Sequence, residues 1–229
     1  MEMNEILFTI ARCAPGLLLA LVCHEYAHGY VAKLFGDDTA EKSGRLTFNP
    51  ISHIDPVGTI AFPLILVVIG VVTGGAMTPF GWAKPVPVSS RNFKDVRKGV
   101  FWVSFAGPLA NFFLGIISVF LYVLSIKHFP EFGGKASFEA MLRFSFLINF
   151  VLMGFNLIPL PPLDGSRMVA SYLKGETLRK YEEFARYTPM IFLGAIFLGS
   201  FTGVSIFGIL LAPFMYFAQM VGSVMFAIL

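Results

Sequence analysis

The chain has 229 residues, of which 56% are hydrophobic and only 14% charged, and its mean hydropathy is +0.74; an ordinary soluble domain carries about 25% charged residues. This composition excludes a water-soluble globular enzyme and marks an integral membrane protein. The formal charge of +3 falls in short connections flanking apolar runs, so it carries orientation information and excludes a nucleic-acid-binding module.

The first apolar segment runs from Ile6 to Phe35, roughly 30 residues or about 45 Å of helix. Gly36 follows as a left-handed cap before Asp37 and Asp38. Glu2 and Glu5 stand where a cleavable signal peptide carries lysines, so this helix is expected to stay in the mature chain. Cys13 and Cys23 both lie inside it, ten positions apart, and read as small core residues, not as a disulfide or a CxxC metal knuckle. A second segment spans Gly58 to Val72. Pro63, Gly70, Gly74 and Gly75 punctuate it, which predicts a broken or re-entrant far end. Four more apolar segments fall near Val100 to Ile126, Phe138 to Leu157, Pro189 to Leu198 and Val204 to Phe226, the third of these being short for a full crossing.

The expected architecture is an all-α polytopic membrane protein with about six hydrophobic segments, five or six of them spanning, in one domain covering 1–229. Its catalytic core would occupy about 6–173, and two extra C-terminal transmembrane segments about 187–229. Between the second and third segments, "WAKPVPV" (82–88) alternates prolines with Lys84, Val86 and Val88. Alternation predicts a short membrane-associated β strand or hairpin. Pro85 and Pro87 disarm one edge, so donors remain only on the other.

Inside the first segment stands "HEYAH". On a helix, His24 and His28 lie about 40° apart around the axis and roughly 6 Å apart along it, within reach of one metal ion. Glu25 then sits beside that ion, where it can take a proton from a bound water, the HExxH arrangement of zinc peptidases. An ionised carboxylate at mid-helix in a membrane costs roughly 2.5–3.5 kcal/mol on insertion scales, which makes such residues functional candidates. Catalytic zinc takes about three protein ligands plus water. The extended soluble motif would need glycine and histidine at Val31 and Leu34, and is excluded. Glu41 follows the helix too closely to fold back. The strongest remaining third ligand is Asp164 in "NLIPLPPLDGSRM", where Pro159, Pro161 and Pro162 stop the preceding helix and Gly165 lets the chain turn after the carboxylate. The alternative for Asp164 is an ordinary Asp-Gly turn.

These motifs in order, "HEYAH", "AGPLANF" and "NLIPLPPLDG", resemble the site-2 protease family of intramembrane zinc metalloproteases. The match is to its compact subgroup, which lacks a PDZ insertion and a regulatory nucleotide-binding tail. The resemblance extends from about Leu21 to Met168. It implies His24, His28 and Asp164 as ligands of one zinc ion, Glu25 as the base, and Asn111 as the residue that steadies the scissile carbonyl. A neutral amide at Asn111 could bind a developing oxyanion without adding charge to the membrane; interhelical hydrogen bonding is the alternative there. His53, in "RLTFNPISHIDP", is expected to order its loop.

The function expected is hydrolysis of peptide bonds within or next to transmembrane segments of other membrane proteins. Such a helical substrate must unwind locally, and Lys84, Val86 and Val88 could receive it by strand addition. The partners are therefore transmembrane protein substrates and the lipid bilayer. The competing class is a membrane metal transporter or sensor with the same ligands and no hydrolysis, which should carry further ligands along a path. Basic residues before the third segment (Lys84, Arg91, Lys94, Arg97, Lys98) and after the fourth (Arg167, Lys174, Arg179, Lys180, Arg186) place both connections in the cytoplasm, hence a plasma or inner membrane with its active site toward the cytoplasmic side. Either the second segment re-enters or the first runs the other way. Labelling of cysteines placed at Ser43 and Ser90 separates the two.

Overall fold

The computed structural model describes residues 3–61, 64–65, 68, 82–202 and 205–229. Helix α1 (Met3–Leu34) leads to a short α2 (Thr39–Lys42). The long α3 (Val96–His128) and α4 (Lys135–Leu157) follow. Then come α5 (Asp164–Ala170), α6 (Gly175–Ala185), α7 (Thr188–Thr202) and α8 (Ile206–Ile228). Helices α1, α3 and α4 pack on one another, α5 tucks against α3, and α8 lies along α4.

The expected left-handed cap closes α1. Gly36 has φ +105°, its N–H donates to the Lys33 carbonyl at 3.0 Å, and the Asp37 N–H reaches Ala32 at 2.9 Å. This doubly bonded ending satisfies the last carbonyls of a helix. The main core joins Val119 and Val123 of α3 to Phe146, Phe150 and Met153 of α4 and Ala218 of α8. Close approach depends on glycine here: a Cβ at Gly115 would lie 2.8 Å from the Phe150 ring, and one at Gly154 2.5 Å from Phe214. A second cluster of Ala32, Phe93 and Val103 seats the end of α1 against the start of α3.

Asp37 ties the connections together. It is fully buried. Its Oδ2 accepts the Ser89 N–H at 2.7 Å, and its Oδ1 accepts from Asn92 Nδ2 at 2.7 Å and from the Thr39 N–H and hydroxyl. Burial alone would raise its pKa, but the donors from Thr39, Ser89 and Asn92 outweigh that and hold the carboxyl below its ordinary value of 3.8. A depressed native pKa contributes stability above the unfolded value, and that contribution is lost as pH falls through the native one. Asp37→Asn is therefore expected to cost roughly 1.5–3 kcal/mol at pH 7. Thermal melts in detergent should show the gap to wild type closing below about pH 4; a gap independent of pH would contradict the role of the charge.

Three of the described helices, Val96–His128, Lys135–Leu157 and Ile206–Ile228, are long and apolar enough to cross a membrane. The expectation of about six segments is met only to that extent. The 15 residues of α7 fall short of the roughly 20 that a crossing needs. Most of the second segment, including Pro63, Gly70, Gly74 and Gly75, lies outside the described residues; its start, Pro56–Ala61, forms a π-helical turn.

No β strand or hairpin forms among the described residues, which corrects the reading of 82–88. That stretch is extended but has no ladder partner. The donor edge expected to be free is occupied: the Lys84 N–H bonds the His53 carbonyl at 2.9 Å, and the Val86 N–H bonds Glu25 Oε2 at 2.8 Å. Arg45 Nη2 donates to the same segment, 2.8 Å from the Lys84 carbonyl and 3.4 Å from that of Pro85. His53 itself is buried, with Nε2 2.8 Å from the Thr47 carbonyl, a contact that orders its loop.

Candidate metal centre

His24 and His28 face α3 from one side of α1, one helical turn apart. Each commits its Nδ1 to an acceptor on α3: His24 to Asn111 Oδ1 at 2.6 Å and His28 to the Val103 carbonyl at 2.6 Å. A neutral imidazole that donates from Nδ1 has only a lone pair at Nε2. The two Nε2 atoms nonetheless lie 3.0 Å apart.

Asp164 completes the group. Helix α4 ends at Leu157, where Pro159, Pro161 and Pro162 prevent continuation, and the chain turns through a bond from the Leu163 N–H to the Leu160 carbonyl at 3.0 Å. Asp164 opens α5, with Oδ2 3.1 Å from His24 Nε2 and 3.3 Å from His28 Nε2. That oxygen is buried without a hydrogen-bond donor among the described residues. Its geometry with the histidines makes it more than an Asp-Gly turn.

With each imidazole proton on the Nδ1 that faces its α3 acceptor, three electron-pair donors converge in side chains only 9%, 12% and 16% exposed. A cation between them satisfies such a cluster. Ligand atoms about 2.0–2.1 Å from a tetrahedral zinc ion would stand about 3.4 Å apart, close to the 3.0, 3.1 and 3.3 Å observed. Among the described residues, His24, His28 and Asp164 are the one group of three or more such side chains able to hold a metal. The residues present fit zinc with an open fourth position.

Glu25 lies beside the pair but outside it, with Oε2 held by the Val86 amide. The segment carrying Lys84, Val86 and Val88 thus passes against the Glu25 carboxylate. Gly29 permits that approach, since a Cβ there would meet Val86 Cγ1 and Ala40 Cβ, each at 3.1 Å.

Asn111 makes the interhelical hydrogen bonds that were the alternative to oxyanion binding. It is fully buried, and its Nδ2 donates to the Ala20 carbonyl at 3.1 Å and to Asn149 Oδ1 at 2.9 Å. Both N–H groups are thus committed within the helix bundle. Asn156 bonds the Leu152 carbonyl of its own helix at 3.0 Å.

Two glycines shape the site, of which only Gly165 drew notice in the sequence. A Cβ at Gly107 would lie 2.5 Å from His28 Nε2 and 2.6 Å from His24 Nε2, so the bare backbone of α3 forms one wall of the site. A Cβ at Gly165 would stand 2.3 Å from the Leu157 carbonyl oxygen and 2.6 Å from that of Ile158. Only glycine lets α5 start so close to the end of α4. The sequence signal for both was their place beside chemistry-bearing motifs, in "AGP" and "LDG".

The sequence profile of Peptidase family M50 matches residues 13–137 and 125–198. The chain is 42% identical over 197 residues to "Putative zinc metalloprotease YwhC" of Bacillus subtilis, covering 83% of this chain and 84% of that one. It is 28% identical over 166 residues to "Putative zinc metalloprotease Rip2" of Mycolicibacterium smegmatis, covering 72% of this chain and 58% of the relative. A Rip2 of Mycobacterium tuberculosis is 28% identical over 196 residues, 85% of this chain and 69% of the relative. No solved structure matches the chain.

Proposed function

Because the chain belongs to Peptidase family M50, the site-2 protease family of zinc metalloproteases, we propose that it is an intramembrane endopeptidase. In this reading it cuts peptide bonds within or beside transmembrane segments of other membrane proteins, as in regulated intramembrane proteolysis. The observation that carries the reading is the convergence of His24 and His28 Nε2 with Asp164 Oδ2 next to an uncoordinated carboxylate, Glu25.

His24, His28 and Asp164 would hold the zinc ion. When bound, zinc supplies a Lewis acid that acidifies water and polarises a carbonyl. Glu25 acts as the base: while Oε2 accepts from Val86, Oε1 takes a proton from the attacking water and later returns it to the leaving nitrogen. The buried imidazole tautomers keep the ligand atoms bare. A helical substrate hides its carbonyls in its own hydrogen bonds, so the cut segment must unwind, and it would lie extended beside Lys84, Val86 and Val88. With the Lys84 and Val86 donors already engaged, substrate displaces or flanks the segment instead of simply extending a free edge.

The basic connections around α3 and after α4 support an active site toward the cytoplasmic side of a plasma or inner membrane. Transport or sensing of metal fits less well. A conduction path needs successive polar sites, whereas the described residues supply a single metal-holding group.

Metal removal tests the proposal. The protein is reconstituted in liposomes with a single-span substrate and treated with a strong chelator. Cleavage inside the substrate's apolar segment should stop and return with added zinc. Cleavage indifferent to chelation, or confined to water-exposed loops, would overturn it.

A further inference from the structure

Asn111 stands in a run of buried amides whose direction is set by backbone carbonyls. At one end, Asn149 Nδ2 donates to the Ser145 carbonyl at 2.8 Å, one turn back along α4. That bond turns Asn149 Oδ1 toward Asn111, which meets it with Nδ2 at 2.9 Å. The same Nδ2 faces the Ala20 carbonyl of α1 at 3.1 Å. Both Asn111 and Asn149 are 0% exposed, so solvent is not available to satisfy a reversed amide. A carbonyl cannot become a donor. With Ala20 and Ser145 fixed as acceptors, the amide of Asn111 has one direction, and its Oδ1 points at His24 Nδ1, 2.6 Å away.

We infer that Asn111 is a positioning residue: its amide, oriented by Ala20 and Asn149, holds the proton of His24 on Nδ1 and keeps Nε2 bare for the metal. His28 achieves the same state differently. Its Nδ1 faces the Val103 backbone carbonyl, which no side-chain substitution removes. The two ligands therefore differ in how their protonation is enforced, one by main chain and one by an amide relay spanning α1, α3 and α4. Outer partners of metal-bound histidines typically change metal affinity by about 10–100-fold when removed.

This inference uses the zinc-peptidase reading only for the identity of the metal, and its test does not require peptide cleavage. The full chain, labelled with ¹⁵N at its 4 histidines, is stripped of metal in detergent micelles above the imidazole titration range. Ring-nitrogen NMR then reports the tautomers, and chelator competition reports zinc affinity. Wild type should show Nδ1–H at both His24 and His28. Asn111→Leu should give mixed tautomers at His24 alone and zinc binding weaker by about 10–100-fold. Asn111→Asp keeps an acceptor toward His24 while losing the donors to Ala20 and Asn149. It should keep the proton on Nδ1 of His24 even though the bonds to α1 and α4 are lost, which an interhelical packing role would not.

Nε2–H at His24 in the wild type would overturn the inference, even if Asn111→Leu failed to fold. So would an Asn111→Leu protein with unchanged tautomer and affinity, or an Asp variant whose His24 shows the same mixed tautomers as the Leu variant. A protein with the expected tautomers that cleaves nothing would refute the peptidase reading and leave this one standing.

Discussion

Glu25→Gln is expected to lower cleavage by about 10²–10⁴-fold, the range supplied by a positioned general base, while the purified protein keeps its zinc. Glutamine has nearly the shape of glutamate, and its amide oxygen can still accept the Val86 N–H that now bonds Glu25 Oε2 at 2.8 Å. The local geometry should therefore persist. His24, His28 and Asp164 do not depend on Glu25 for their orientation: the histidines are held by Asn111 and Val103, and Asp164 by the turn after α4. What is lost is a group able to take and return a proton. Cleavage rate and zinc content measured on the same preparation separate the two effects. Retained zinc with activity within about tenfold of wild type would remove Glu25 from its role as base.

Gly107→Ala should have the opposite signature, with metal and activity lost together. The added methyl would stand 2.5–2.6 Å from both Nε2 atoms and the Cε1 of His24, far inside van der Waals contact. The rings cannot swing aside without breaking the 2.6 Å bonds at their other nitrogens. Overpacking of this kind ordinarily costs about 1–3 kcal/mol, too little to unfold the bundle by itself. Zinc affinity should fall at least about 100-fold, the upper end of what perturbed ligand orientation produces. Equilibrium dialysis against zinc with wild type alongside measures it; an alanine variant that binds zinc normally would show that α3 does not wall the site.

Legibility in the sequence followed chemistry. His24 and His28 were readable because helical spacing alone puts two imidazoles on one face, and Asp164 because prolines and glycine announce a fixed turn. The cap at Gly36 was readable for a similar local reason. Asn111 was found, but its partners were not, since no local rule says which atoms an amide will meet from another helix. Gly107 carries no side chain to attract notice, and its importance exists only after α1 and α3 are packed. The 82–88 stretch has strand-like alternation, yet its amides are taken by His53 and Glu25, acceptors supplied by a loop and a helix remote in sequence. Asp37 looked like a loop acid after a helix; its burial depends on Ser89 and Asn92 arriving from beyond the second segment.

The hydrogen bond between Val86 and Glu25 divides the centre into two mechanical parts. The two acceptors that meet the imidazoles, Asn111 Oδ1 and the Val103 carbonyl, belong to α3, a helix of 33 residues, whereas the Glu25 carboxylate is bonded to an extended segment outside that helix. Pulling on that segment unhitches the carboxylate and leaves the ligand cage standing. Release of the carboxylate from Val86 and release of a bound ion are thus expected to be separable events.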